Sequence, residues 1–359
     1  MITAVRPSRR PRLALMAASL AVGALALSGC GGGADTATSP GEGGELSSMT
    51  VVTFLPLESF SFAPEMFAYS GGYFEKHGLD VTLQPVQGTS AAIQSLLGGA
   101  TTLTRASTVD VFPAMVDGQP IRAVGTMAYK SNLRMVSVEQ EPITAPSDME
   151  GKVIGMGSIG GTSEKLLDLT LDDAGIPADA VTRQAVPVTA ATLEVVRQGQ
   201  LDGYIVSLDT SLAIGQQNAD AVVDDAGLGE APDIQTWITT ESNLQDEAKT
   251  AQIEAFMAAI REAVQDMIDD APNGFATVLQ TLRESGDWSF PALEDDEVAT
   301  AALEVYTTQT WVDADGGVPL LENDLDAWQA TYDTYVDAGM LEGGHDPGDW
   351  ITNDYVPAG

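Results

Sequence analysis

The residues best placed for chemistry share one window, Gly155-Met-Gly-Ser-Ile-Gly-Gly-Thr-Ser163. An apolar run, 152–156, precedes it, and a helical pattern follows with Leu167, Leu171 and Ala174 spaced by four and three. A strand, a glycine turn and a helix start therefore fall together. A helix start leaves N–H groups unpaired and carries the positive end of the dipole, so it suits an anion or a polar ligand. Written as G-x-G-x-x-G, the stretch also imitates a dinucleotide fingerprint. That reading requires an acid at the end of the next strand, and Gln184-Ala-Val-Pro187 supplies none. A P-loop fails because Gly161, not lysine, precedes Thr162.

Other chemistries have less support. A serine hydrolase needs a nucleophile elbow, and no G-x-S-x-G occurs. The two histidines are far apart in the chain: His77 at a helix end, where a cation complements the dipole, and His345 in a Gly-Gly-His-Asp-Pro loop. No His/Cys/Asp cluster has zinc spacing. The adjacent acids Asp269-Asp270 and Asp295-Asp296 read as solvated faces. A carboxylate-pair glycosidase stays open, because its two acids need not be close in sequence. The expectation is a protein without catalytic residues, metal or cofactor, with an exported hydrolase as the alternative.

The front of the chain reads as an export segment. Arg6, Arg9, Arg10 and Arg12 form a basic region, and Leu13 to Leu27 is an apolar run of fifteen residues. That is short for a membrane span and suited to a signal peptide. Leu27-Ser-Gly-Cys30 follows and resembles the bacterial lipoprotein signal box, in which cleavage precedes a lipidated cysteine. Ser8-Arg9-Arg10 leaves a twin-arginine route open beside the general one. Residues 1–29 are thus expected to be removed. Cys30 is the single cysteine, which excludes an internal disulfide. Residues 30–48 are rich in Gly, Ser, Thr and Ala and read as a flexible tether.

Charge narrows the partners. The formal net charge is −36, and residues 1–29 carry four arginines and no acid, so the chain after them carries −40 (−36 less four). Nucleic-acid binding and polybasic adhesion to lipid both need a basic face and are excluded. A solvated acidic surface keeps the protein soluble, and adaptation to high salt is a sharper reading of the same charge. About 310 residues follow the tether, long for one core and suited to two lobes.

Strand and helix patterns alternate through that body. Strands are expected at 50–55, 79–83, 101–105 and 121–127, with helices starting near Ala63, Gly88 and Ser107 between them. A second unit follows, with strands at 133–138, 152–156, 181–186 and 201–206 and helices at 162–174 and 189–197. From Asp209 come a short helix, strands at 221–223 and 234–239, and then a long amphipathic helix with Ile253, Phe256, Ile260, Val264 and Met267 on one face. Such alternation implies an α/β fold of parallel sheets covered by helices.

Several stretches, in order, resemble the nitrate/sulfonate/taurine and thiamine-pyrimidine-precursor solute-binding proteins. They are Gly72-Tyr-Phe-Glu-Lys-His-Gly-Leu-Asp-Val81, Gly88-Thr-Ser90, Gly118-Gln-Pro-Ile-Arg-Ala-Val124, Ser147-Asp-Met-Glu-Gly-Lys-Val-Ile-Gly155 and Gln198-Gly-Gln-Leu-Asp-Gly-Tyr204. The resemblance covers roughly 49–359. It implies a two-lobed periplasmic-binding-protein fold of the second type, with parallel-dominated sheets and a ligand cleft between lobes. One lobe would hold 49–131 and 209–359, the other 132–208. It also implies an extracytoplasmic component of an ABC importer, which closes on a small organic solute and delivers it to a membrane permease driven by a cytosolic ATPase. The chain would be monomeric and lipid-anchored on the outer face of the cytoplasmic membrane. A cytosolic pyrimidine-synthesising branch shares the fold, and the export segment argues against it.

In open α/β sheets ligands lie beyond the carboxyl ends of strands. That rule selects Phe60, Phe62, Ser90 and Thr108 in lobe one and Gly161, Thr162 and Ser163 in lobe two, with Asp209 at the return crossover and Trp237 at a strand end. The hydroxyls would bind polar groups, the rings would wall a flat solute, and Asp209 would pair with a cation or an N–H donor. The same residues have plainer readings: Ser90, Ser107 and Thr162 as N-caps, and Trp237, Phe60 and Phe62 as core. An oxyanion would call on Arg105, Lys130 or Arg183. Basic residues are scarce in these loops, which favours a neutral or heterocyclic solute. Cys30→Ser is expected to release the protein from the membrane; membrane fractionation of the two forms checks this, and a variant that stays with the membrane contradicts the lipid anchor.

Overall fold

The computed structural model describes residues 45–314 and 316–358, so the expected signal segment, residues 1–29, and the expected lipidation site, Cys30, lie outside the described residues. Ten strands form two sheets. β1 (Ser47–Thr53), β2 (Leu79–Pro85), β3 (Leu103–Ser107), β4 (Ile121–Ala128) and the late β10 (Gln235–Thr240) make the first, in the order β2-β1-β3-β10-β4. β5 (Leu133–Val138), β6 (Val153–Met156), β7 (Thr182–Ala185), β8 (Gly203–Ser207) and β9 (Ala221–Asp224) make the second, in the order β7-β6-β8-β5-β9.

Each sheet contains one reversed strand. β1 pairs parallel with β2 and β3, while β10 runs antiparallel to both β3 and β4. In the second sheet β6 pairs parallel with β7 and β8, and β5 runs antiparallel to β8 and β9. The cause is the connections. A helical crossover returns the chain to run parallel to its start. β4 reaches β5 through 129–132, and β9 reaches β10 through 225–234, with no helix in either link. The chain therefore enters each sheet the other way round.

One boundary differs from the sequence reading. Strand 221–223 was expected in lobe one, but β9 pairs with β5 in the second sheet. The helix Leu208–Gln217 returns the chain to that sheet, packing against β5, β8 and β9 as well as against helices Pro291–Glu294 and Asp296–Val305. The crossover back thus follows Asp224 rather than preceding Asp209.

The inner strands of the first sheet are buried on both faces. Every residue of β3 and β10 is buried, although LTRAS and QTWITT are rich in polar side chains. The hydroxyls are satisfied by neighbouring backbone. Thr104 Oγ1 donates to Val52 O at 2.7 Å, Thr236 Oγ1 to Gly125 O at 2.8 Å and Thr239 Oγ1 to Thr102 O at 2.7 Å. Buried hydroxyls with partners avoid the desolvation penalty that would otherwise oppose such a strand.

The long helix Glu247–Asp270 covers one face of this lobe. Asp246 caps it by accepting from Ala248 N and Lys249 N, and Ile253, Phe256, Met257, Ile260, Val264 and Met267 are buried along one side. Phe256 stacks on Phe74 (5.2 Å between centroids, 13°) and meets Trp237 edge to face (4.9 Å). Trp237 is therefore core, not cleft wall, because the helix closes over the middle of β10. Phe256→Ala is expected to cost about 3–5 kcal/mol of stability. Urea unfolding should show a lower midpoint at unchanged slope.

Candidate functional site

The carboxyl ends of the strands carry the loops that matter. After β1 come Phe54, Leu55 and a short 3₁₀ turn, Phe60–Phe62, capped by Ser59. β3 ends in Ser107, whose hydroxyl accepts from Val109 N and starts the helix Thr108–Val116. From the second sheet, β6 leads through Gly157–Gly161 into the helix Thr162–Asp173, and β7 leads into 186–189.

These loops meet across the two sheets. Thr162 Oγ1 donates to Asp110 Oδ2 at 2.6 Å and lies 3.4 Å from Thr89 Oγ1. Lys165 Nζ pairs with Asp110 Oδ1. Asp110 is in the first turn of helix Thr108–Val116, and Thr89 opens helix Thr89–Leu97. The glycine turn expected to hold a ligand in lobe two thus touches the opposite lobe. Gly160 has φ +75°, a backbone state natural to glycine, and a Cβ at Gly161 would come within 2.3 Å of Ser158 Oγ. Ser163 is half-buried.

The other expected residues are placed differently. Ser90 is exposed; Gly88 caps its helix, and the neighbouring Thr89 is the residue that faces lobe two. Nothing in the sequence distinguishes these two hydroxyls except the pitch of one helical step. Thr108 is fully buried, accepts from Ile234 N at 3.3 Å and lies 3.1 Å from Tyr335 Oη, so its hydroxyl serves the second crossover. Phe60 is buried against Phe290, edge to face at 5.1 Å. Phe62 packs on Phe54 at 5.1 Å, and the Arg105 guanidinium stands 4.6 Å from its ring centre. The exposed apolar side chains on these loops are instead Leu55, Ile159 and Val188.

Asp209 is not open to a ligand. It is 1% exposed and accepts from Ser59 Oγ at 2.7 Å, Phe60 N at 3.3 Å and Tyr306 Oη at 3.2 Å. Asn132 Nδ2 donates to Tyr306 Oη at 2.9 Å. Burial raises the Asp209 carboxyl above its ordinary value, and the donors counter this only in part. The carboxylate joins the loop after β1, the helix after β8, the π-type turn Tyr306–Thr310 and the first crossover.

The cations named for an oxyanion are mostly committed. Arg105 is 1% exposed, donates to Ser61 O at 2.9 Å and lies 3.4 Å from Glu65 Oε1. Burial raises the Glu65 carboxyl and lowers the Arg105 guanidinium, and each partner's charge opposes the shift. Arg183 pairs with Asp168, and Lys130 is exposed on the first crossover. Among the described residues no group of histidine, cysteine and carboxylate side chains fits a metal ion. His77 pairs with Glu262 on the surface of the first lobe, and His345 lies against Trp350. Two open grooves, about 720 and 490 Å³, are outside this region, on helices Ala276–Ser285 and Asp296–Val305.

The family model for NMT1/THI5 like proteins matches residues 59–273. The chain belongs to this family. It is 22% identical over 327 residues to the riboflavin-binding protein RibY of Chloroflexus aurantiacus, covering 86% of this chain and 85% of that one. The alkanesulfonate-binding protein SsuA from Xanthomonas axonopodis pv. citri, bound to MOPS, superposes with a TM-score of 0.61 at 14% identity over 86% of this chain and 99% of that one. The nitrate-binding protein NrtA from Synechocystis gives 0.59 at 15% identity, over 87% of each. The desulfurization enzyme DSZB gives 0.53 at 14%, over 86% of this chain and 97% of that one. The NMT1/THI5-like chain therefore has the two-lobed periplasmic-binding-protein fold, with four of five strands in each sheet running one way. Among its described residues no helix is long and apolar enough to cross a membrane.

Asp233, on the second crossover, accepts from Ser107 Oγ. Burial is the dominant effect and raises its carboxyl from 3.8 to about 6. The folded state then holds this proton more tightly than the unfolded state does, so the cost of ionisation grows as pH rises from 3.8 and is complete above 6. That cost is about 3 kcal/mol. Asp233→Asn is expected to be more stable than the parent at neutral pH, with the difference vanishing below the unfolded value. Urea unfolding at a series of pH values checks the sign.

Proposed function

We propose that this protein is the extracytoplasmic solute-binding component of an ABC importer, anchored by a lipid at Cys30 and closing its lobes around a small organic nitrogen- or sulfur-containing solute. The observation that carries the reading is the meeting of strand-end loops from two sheets, at Thr89, Asp110, Thr162 and Lys165, across two helix-free crossovers. Such crossovers make a hinge, and hinged lobes enclose a ligand at their facing strand ends. The names of its relatives, binders of riboflavin, alkanesulfonate and nitrate, support the same class.

The lobes are read from the sheets: 45–131 with 235–358 for the first, 132–224 for the second, and 225–234 as the return link. Thr162, Ser163 and Gly161 remain polar contacts offered to the solute, Thr89 takes the place of Ser90 beside them, and Leu55, Ile159 and Val188 are the apolar contacts. Phe62 and Asp209 act behind them. A permease, a cytosolic ATPase and a monomeric chain complete the reading.

The rival reading is an exported hydrolase on the same fold, since DSZB shares it. What favours binding is the chemistry of the loops: hydroxyls and apolar groups around an acid and a cation, Asp110 and Lys165, that are paired with each other, with both histidines engaged elsewhere, by Glu262 and Trp350. Thermal melting against sulfonates, nitrate, pyrimidines and flavins separates the two. One solute class should raise the melting temperature by several degrees at saturating concentration, because it binds only the folded state. No stabilisation by any of them, with turnover of a hydrolase substrate, would overturn the proposal.

A further inference from the structure

Two helix starts face each other across the cleft, those of Thr108–Val116 and Thr162–Asp173. Each carries partial positive charge, and Lys165 adds a full one. Left alone, this arrangement attracts an anion. It already holds one. Asp110 places its carboxylate there, its side chain 4% exposed, accepting from Thr162 Oγ1 at 2.6 Å and pairing with Lys165. A second internal carboxylate, Glu164, accepts from Gly160 N in the glycine turn itself. In lobe two the Thr162 hydroxyl, the Lys165 ammonium and the Gly160 N–H, each able to greet an oxyanion, are thus taken by side chains of the protein. In lobe one the buried cation, Arg105, faces Glu65. The exposed side chains of these loops include the apolar Leu55, Ile159 and Val188 beside the polar Glu58, Ser90, Ser158 and Thr189, with no cation among them.

We propose that Asp110 is a specificity-determining residue that fills the anion seat between the lobes, so that the cleft rejects oxyanions and accepts solutes that are uncharged or cationic and present an apolar face. This rests on the solute-binding reading above. The carboxylate works twice. It neutralises the opposed helix starts, which would otherwise repel each other on closure, and it confronts any incoming nitrate or sulfonate with like charge. An uncharged solute meets neither penalty.

The test compares the full chain with Asp110→Asn and Asp110→Ser, titrated with nitrate and methanesulfonate by calorimetry. Both variants are expected to gain oxyanion affinity of at least about tenfold over the parent, the value of one charge-assisted contact. Lys165→Met added to either variant should remove the gain. The parent itself should show no rise in melting temperature in millimolar methanesulfonate, a readout that does not depend on any variant folding, and a rise would overturn the proposal. Folded variants with no gain would overturn the proposal, as would a parent that binds either oxyanion and loses that binding in Asp110→Asn. The solute-binding reading is judged separately, by whether the parent responds to any pyrimidine, flavin or other uncharged solute. It survives such a response even when the variants gain nothing.

Discussion

The buried carboxylate of Asp209 is the contact on which the two-lobed arrangement depends. A carboxylate out of water is costly unless donors surround it. Here the donors come from two distant parts of the chain, the adjacent Ser59 hydroxyl and Phe60 backbone on one side and Tyr306 on the other. Tyr306 reaches it from a π-type turn that extends helix Asp296–Val305, and Asn132 holds the same hydroxyl from the first crossover. A π-type turn changes the face on which the next side chain points. One group thus fixes the loop after β1 and the start of helix Leu208–Gln217 together, and through Tyr306 the link 129–132 as well. Moving any of them alone would leave a buried charge short of partners.

The acidity of the chain makes its few cations informative. There are 16 lysines and arginines against 52 acids, so a cation near a cleft finds an internal partner readily. Arg105 faces Glu65, Lys165 faces Asp110 and Arg183 faces Asp168. The buried Arg105–Glu65 pair carries a desolvation cost on both sides, and its rings, Phe54 and Phe62, stand over the guanidinium at 5.7 and 4.6 Å. The loop after β1 is therefore rigid at its base, while Leu55 stays exposed at its tip. Rigid support beneath an exposed apolar tip is a sound base for recognition, since less ordering is lost on binding.

The two reversed strands have a mechanical consequence. β5 and β10 are the first strand each lobe receives from the other, and each sits inside its sheet rather than at an edge. A force on either crossover is passed directly to a strand hydrogen-bonded on both sides. Under the proposed solute-binding reading, lobe motion would be a rotation of two stiff bodies about short links, hinge behaviour rather than local rearrangement.

Local order was largely determined by sequence. The β-branched runs and glycine stops placed all ten strands to within a few residues, and the face Ile253, Phe256, Ile260, Val264 and Met267 of the long helix is buried as its period requires. The glycine turn before Thr162 also lies at a strand end, because strand, turn and helix start are all local. Pairing across the chain was not determined in this way. Ala221–Asp224 has the same apolar pattern in either lobe, and only the packing of helix Leu208–Gln217 assigns it to the second. Trp237 and Thr108 carry ligand-binding chemistry but are enclosed by a helix and a crossover from distant sequence. Asp110 went unnoticed as one acid among 52, and only the fold brings it to Thr162, because the contact spans 52 residues and two lobes.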